Sequence, residues 1–248
     1  MSTETAVIIP ARFGSTRFPG KALHKIAGKP LVQHVWERCC EARGIDAIIV
    51  ATDDERIAEA ARAFGAEAEM TSANHRSGTD RIAEVVRRRR DFKIIINVQG
   101  DEPLIDPKLI TRIAREFGRD QRVEMVTAAS PFVNRADVAN PHAVKVVIDR
   151  HGNALYFSRC PIPFIRDGEA ADVHLLHHGI YGFRRAFLLR FVRWRPGVLE
   201  QLEQLEQLRA LENGAGLRVL RAETGGPGGV DTPQDARAME RLICRGHP

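Results

Sequence analysis

The sequence predicts an α/β fold: a mostly parallel sheet flanked by helices, with a small antiparallel subdomain inserted in its second half. Three observations carry this. First, Ala6–Ile9, Asp46–Thr52 and Lys93–Val98 are short, continuous apolar runs, the pattern of strands buried on both faces. Second, stretches of helical spacing separate them, so the order is strand, helix, strand, helix, strand, which argues right-handed crossovers between parallel strands. Third, the character changes after the next helix. Val123–Ala129, Val144–Ile148 and Ala154–Ser158 read as short strands, the last two joined by a turn at Asp149–Asn153. We therefore expect one domain over 1–248 with an antiparallel excursion at about 130–185. A chain of this length buries roughly three quarters of its unfolded surface.

Composition bounds the function classes. A net charge of +5 suits acidic partners: nucleic acid, anionic lipid or a phosphorylated small molecule. The four cysteines include adjacent Cys39 and Cys40, with Cys160 and Cys244 alone, and no C-x-x-C pair. Neither a zinc site nor a disulfide scaffold is expected. The N-terminus enters a strand from a polar tail, without the layout of a signal peptide, and no apolar run approaches the ~18–20 residues of a membrane span. A cytoplasmic protein that does not use a membrane is the expectation.

Taken in order, the first strand is ended by Pro10, which cannot donate a ladder hydrogen bond. The loop Pro10–Lys21 holds Gly14 and Gly20, the hydroxyls of Ser15 and Thr16, and the cations Arg12, Arg17 and Lys21. Glycines after a buried strand let backbone N–H groups approach an anion, and the cations favour a polyphosphate over a lone carboxylate. Walker A spacing and G-x-G-x-x-G are both absent. A basic surface loop is the other reading of the local sequence. Leu31–Arg43 has helical spacing, with Gly44 as a stop. Asp54 caps a helix near Glu55–Phe64. Ser77 and Asp80 have capping-box spacing ahead of a helix to about Arg90, while Arg76 and Gly78 suit an anion at its N-terminus. Arg87–Arg90 read as a solvated face. The loops after Ile9, before Asp80 and after Val98 all lie at the carboxyl edge of the sheet, where such folds bind ligands.

Further on, a helix is expected at Pro107–Phe117. In the strand His177–Phe183, His177, Gly179 and Tyr181 fall on one face by period 2. They line either a polar ligand or an ordinary rim. Leu199–Leu211 repeats leucine every third residue; on one helix those leucines drift round the axis, so some Glu or Gln must turn inward. A late strand at Leu217–Leu220 and the glycine run Gly225–Gly229 lead to Asp231 and a last helix, Gln234–Cys244. Asp101 and Asp231 each follow a glycine-containing segment, and magnesium bound to a nucleotide takes one or two carboxylates plus phosphate oxygens and waters.

The blocks AVIIPARFGSTRFPGK, NHRSGTDR, NVQGDEP, NPHAVKVV, ALYFSR, HHGIYGF, LEQLR and GVDTPQD run in this order across nearly the whole chain. Together they resemble the 3-deoxy-manno-octulosonate (Kdo) cytidylyltransferases. The resemblance implies a Rossmann-like nucleotidyltransferase fold of the GT-A type, a homodimer, magnesium, and transfer of CMP from CTP to an acidic eight-carbon sugar of lipopolysaccharide, releasing pyrophosphate. It implies that Pro10, Ala11, Arg12, Arg17, Lys21, Arg76, Ser77, Gln99 and Asp101 bind the nucleotide, with Lys21, Arg17, Asp101 and Asp231 catalytic. Asp101 and Asp231 would ligate the metal; Arg159, His177, Tyr181, Glu206 and Gln207 would bind the sugar. His178 and the loose glycine run depart from the family pattern. The acceptor could also be 8-amino-Kdo or a sialic acid. A nucleic-acid-binding protein is the competing class, but it calls for aromatics interleaved with a basic stripe. Aromatics here are 6% of the chain, and the arginine run sits at one helix end.

Overall fold

The structure, a computed structural model, describes residues 4–14, 17–167, 173–223 and 228–246. Ser15, Thr16 and residues 225–227 of the glycine run lie outside the described residues. The chain forms two compact units, Met1–Arg115 with Gly226–Pro248, and Glu116–Gly225.

The first unit contains strands β1 (Thr5–Ala11), β2 (Lys25–Ile26) and β3 (Lys29–Pro30), helix α1 (Leu31–Cys40), β4 (Ala47–Thr52), α2 (Glu55–Ala63), β5 (Glu67–Met70), α3 (Gly78–Arg88), β6 (Ile94–Asn97) and the start of α4 (Pro107–Arg119). Its main sheet has β1 parallel to both β4 and β6, and β4 parallel to β5. Ile8, Ile9, Ile49, Val50, Ile95 and Ile96 are fully buried, as continuous apolar runs between helical layers must be. Helix boundaries follow local chemistry. Asp54 accepts the Arg56 N–H and Ser77 accepts the Asp80 N–H, as the caps predict.

One expectation fails here. Pro10 does not end the first strand: β1 continues through Pro10↔Ala51 to Ala11↔Thr52. The physical reason is that β6 pairs only as far as Ile8, so a residue at position 10 can lack an N–H on that edge.

The second unit holds β7 (Met125–Pro131), β8 (Lys145–Ile148), β9 (Ala154–Ser158), β10 (Leu175–Arg184), α5 (Arg185–Phe191), α6 (Val198–Glu203), α7 (Leu208–Glu212) and β11 (Arg218–Arg221). β10 is antiparallel to β7 and β8, β8 is antiparallel to β9, and β11 is parallel to β7. The antiparallel excursion is thus present, with the Asp149–Asn153 turn closed by Asp149 N–H to the Asn153 carbonyl. A bulge interrupts the β10–β7 register between His178 and Tyr181.

The leucine repeat is a second correction, because it does not form one helix. Gln204 takes a left-handed conformation, φ 52°, and separates α6 from α7. A continuous helix would have spread its leucines over several faces; the break leaves Leu202 77% exposed while Leu205 and Leu208 are buried. The inward polar groups are real. Glu200 and Arg209 form a buried ion pair, with Nε–Oε2 at 2.8 Å, and Gln207 is buried beside them in sequence. The chain then returns to the first unit with α8 (Pro233–Cys244).

Candidate active site

The site of the first unit grows out of four chain segments. The end of β1 delivers Pro10, Ala11 and Arg12, and the following loop delivers Arg17 and Lys21. Gly20 adopts φ +70°, and its N–H bonds the Phe13 carbonyl at 3.0 Å, which turns the loop back on itself. The N-terminus of α3 contributes Arg76 and Ser77, and the loop after β6 contributes Gln99 and Asp101. Asp231 arrives from the far end of the sequence. Val230 makes that possible: it is fully buried in an apolar cluster with Ile26, Leu31, Ala236 and Met239, and its N–H bonds the Asp101 carbonyl at 2.8 Å. At Gly229 an added Cβ would lie 3.2 Å from that same carbonyl, a contact tighter than an ordinary van der Waals approach. Asp235 closes a capping box with Thr232 and also accepts the Asp231 N–H, which pins the backbone of the acid itself.

These residues line one cleft of about 310 Å³, which holds Pro10, Ala11, Arg12, Arg17, Lys21, Arg76, Ser77, Gln99, Asp101 and Asp231. Every nucleotide, metal and catalytic residue expected from the sequence therefore borders the same space. At its floor the Lys21 ammonium stands between two carboxylates, 2.5 Å from Asp101 Oδ2 and 3.2 Å from Asp231 Oδ1, and donates to the Val230 carbonyl at 3.2 Å. Arg17 meets the other oxygen of Asp231 at 3.0 Å. Two acids more than a hundred residues apart thus converge on a single cation, in a hard-oxygen setting of the kind magnesium accepts. Burial, reinforced by the neighbouring Asp101 charge, pushes the Glu102 carboxyl up to about 8.

Sequence reasoning passed over several lining residues. Arg81 borders the cleft but is almost fully buried, bonded to Thr71 Oγ1 and Asp53 Oδ2 at 2.5 and 2.9 Å. His75 also borders it and is held by Glu84 at 2.5 Å. Burial works against ionisation of Glu84, but hydrogen bonds from Ser72 N–H, His75 and Arg88 outweigh it and hold this carboxyl at about 2. Helical spacing was the available signal: Asp80, Arg81 and Glu84 follow the cap Ser77 within two turns. Gly78 and Gly100 are there for space. A Cβ at Gly100 would fall 2.8 Å from the Pro10 carbonyl oxygen, and one at Gly78 would fall 3.0 Å from Pro10 Cγ. The arginines after α3 are tied to acids, Arg88 to Glu84 and Arg89 to Glu67, in keeping with a solvated face.

In the second unit the structure joins His177 to Tyr181, with ring centroids 5.6 Å apart, and packs Phe157 edge-on to His177 at 4.9 Å. Arg159 is fastened at every nitrogen: Nε to the Glu203 carbonyl at 2.7 Å, and its terminal nitrogens to the Pro141 and Gln204 carbonyls. Glu203 in turn accepts from Ser158 Oγ and the Arg159 N–H. This knot sits at the α6–α7 break, immediately before Glu206 and Gln207. Gln207 is 4% exposed, and its Nε2 has no partner among the described residues. Lys145, unremarked in the sequence, is fully buried and donates to the Asn140 and Arg159 carbonyls at 3.0 and 2.5 Å. The 140–141 turn and the end of β9 are thereby gripped by two cations.

A parallel sheet of this order with a glycine-lined, cation-rich loop at its carboxyl edge and paired acids opposite defines a nucleotidyltransferase. Comparison with known proteins agrees. Residues 6–221 match the family described as Cytidylyltransferase. A 3-deoxy-manno-octulosonate cytidylyltransferase of Geobacter metallireducens is 52% identical, covering 95% of this chain and 96% of that protein. One from Pseudomonas syringae pv. syringae is 47% identical, covering 98% and 99%. A solved structure of a CMP:2-keto-3-deoxy-manno-octonic acid synthetase complexed with CTP superposes with a TM-score of 0.93 at 40% identity, covering 98% and 99%. The chain belongs to the 3-deoxy-manno-octulosonate cytidylyltransferase family.

Proposed function

We propose that this enzyme transfers CMP from CTP to the anomeric hydroxyl of Kdo, releasing pyrophosphate and forming CMP-Kdo for lipopolysaccharide synthesis. The observation that carries the reading is the convergence of Asp101, Asp231, Lys21 and Arg17 on the floor of a cleft walled by backbone and cations. CTP brings four negative charges to that cleft. Arg12, Arg17 and Lys21 neutralise the triphosphate, and Lys21 and Arg17 stabilise the charge that builds on the departing pyrophosphate. Arg76, Ser77 and Gln99 hold the cytidine portion. Asp101 and Asp231 would hold magnesium, which when bound supplies charge neutralisation on the phosphates and lowers the pKa of a hydroxyl brought to it. The Lys21 ammonium already lying between these carboxylates supports a cation there.

The sugar acid is assigned to the second unit, to Arg159, His177, Tyr181, Glu206 and Gln207. The buried Gln207 Nε2, without a partner among the described residues, supports this, because a buried donor left unpaired is costly unless a ligand satisfies it. The enzyme is expected to act as a cytoplasmic homodimer. No helix among the described residues is long and apolar enough to cross a membrane.

The test is pyrophosphate release from CTP with and without magnesium, using Kdo, 8-amino-Kdo and a sialic acid side by side. Release that requires both magnesium and Kdo, and is strongest with Kdo, is the expected result. Preference for either alternative sugar would reassign the acceptor. Release indifferent to magnesium would remove the metal assignment.

A further inference from the structure

The bulge in β10 creates a contact that assigns a chemical role to one of the sugar-site residues. Thr127 of β7 is fully buried. Its Oγ1 lies 2.8 Å from the Ile180 carbonyl, 3.2 Å from the His178 carbonyl and 3.0 Å from His177 Nε2. All three contacts exist because β10 spends two extra residues between the His178↔Ala128 and Tyr181↔Thr127 pairs, folding two carbonyls onto one hydroxyl.

The proton count then decides the state of the imidazole. A hydroxyl has one proton to donate, and a carbonyl can only accept. The Thr127 proton must therefore go to the carbonyls, Ile180 being nearer. The Oγ1 lone pair that remains can face His177 Nε2 only if that nitrogen carries hydrogen. A bare Nε2 would set three acceptors around one proton at a site sealed from water. Burial, with His178 alongside, holds His177 down to about 3, so the ring is neutral and Nδ1 keeps its lone pair. Among the described residues Nδ1 has no hydrogen-bond partner. Phe157 and Tyr181 fix the ring plane from two sides.

We infer that Thr127 is a positioning residue: it locks His177 as the Nε2–H tautomer, so that Nδ1 is presented as an acceptor to a hydroxyl of the sugar and not to its carboxylate. The sugar half of this statement rests on the placement of Kdo against His177 proposed above; the tautomer half does not. A neutral acceptor takes an O–H donor and turns away a carboxylate, which itself only accepts. His177 thus selects for a hydroxylated face of the substrate.

The experiment is ¹⁵N NMR of the histidine-labelled full chain, together with steady-state kinetics, on wild type, Thr127→Ser and Thr127→Val. Wild type and the serine variant should show the proton on Nε2 and a bare Nδ1 from pH 5 to 8. The valine variant should lose that lock and raise the sugar KM about tenfold, the loss expected for one neutral hydrogen bond, with the KM for CTP unchanged. Serine should restore the wild-type KM. A wild-type ring protonated on Nδ1, or doubly protonated at pH 7, overturns the lock. A valine variant with unchanged tautomer and unchanged KM removes Thr127 from the role. A moved tautomer with an unmoved sugar KM keeps the lock and refutes the placement of the sugar on His177. Should the valine variant not fold, the wild-type and serine spectra still decide the tautomer.

Discussion

At the scale of single residues, the role proposed for the cleft is to place charge, so charge-neutral replacements are the sharp test. Asp101→Asn keeps the shape of the side chain and removes its charge; turnover should fall a hundredfold or more at saturating magnesium, the scale of a lost electrostatic stabiliser. Near-normal turnover would rule out Asp101 as a metal ligand. Arg159→Ala should raise the KM for the sugar and leave that for CTP unchanged. Because Arg159 also ties the Pro141, Glu203 and Gln204 carbonyls, its melting temperature should drop as well. An unchanged sugar KM would take Arg159 out of the sugar site. His177 makes a prediction about stability. Its folded value, about 3, lies below the ordinary 6.5, so the unfolded chain binds a proton that the native state refuses. The stabilisation is therefore fully present above about 6.5 and is lost as the pH falls toward 3. His178, also lowered by burial, acts in the same sense. Melting curves from pH 7 to 5 should show wild type losing stability faster than His177→Gln; parallel curves would contradict the assignment.

At the scale of elements, the two cleft acids are delivered by ordinary capping and packing. The Thr232–Asp235 box starts α8 and also holds the Asp231 backbone. Thr232→Ala should cost about 1 kcal/mol of stability, as lost caps do. It should also weaken turnover, because the N–H of Asp231 shares the same carboxylate. Calorimetry and kinetics on one preparation check both, and lost stability with full activity would separate the cap from the catalytic acid. Gly100→Ala should be worse for nucleotide binding than for folding. Its Cβ meets the Pro10 carbonyl, a backbone group that can relieve the clash only by moving the cradle. The KM for CTP should rise about tenfold or more, in line with the 1–3 kcal/mol typical of overpacking. The same scale shows where periodicity misled. Period-three leucines allow one drifting helix, but a left-handed residue at Gln204, which no pattern announces, ends α6 and separates it from α7.

At the scale of the whole molecule, the second unit leaves Leu155, Val198 and Leu202 exposed at 61%, 68% and 77%. Exposed apolar side chains of this size suit a surface that a second copy covers. Light scattering should give twice the 27.7 kDa chain mass, and Leu202→Glu should shift that mass toward the monomer. A wild-type monomer across the working concentration range would refute the dimer.

What the amino-acid order determined alone is whatever depends on neighbours in the chain. Continuous apolar runs specify buried strands, and Asp54 and Ser77 specify helix starts. The quoted motifs added the family. What depends on distant residues had to wait for the fold. Val230 must be buried before Asp231 can reach the cation that Asp101 holds. β6 must end opposite Ile8 before Pro10 can sit inside a strand. β10 must bulge before Thr127 can hold His177. Each is a through-space choice among packings that local propensity leaves equal, and burial free energy, summed over the whole core, makes that choice.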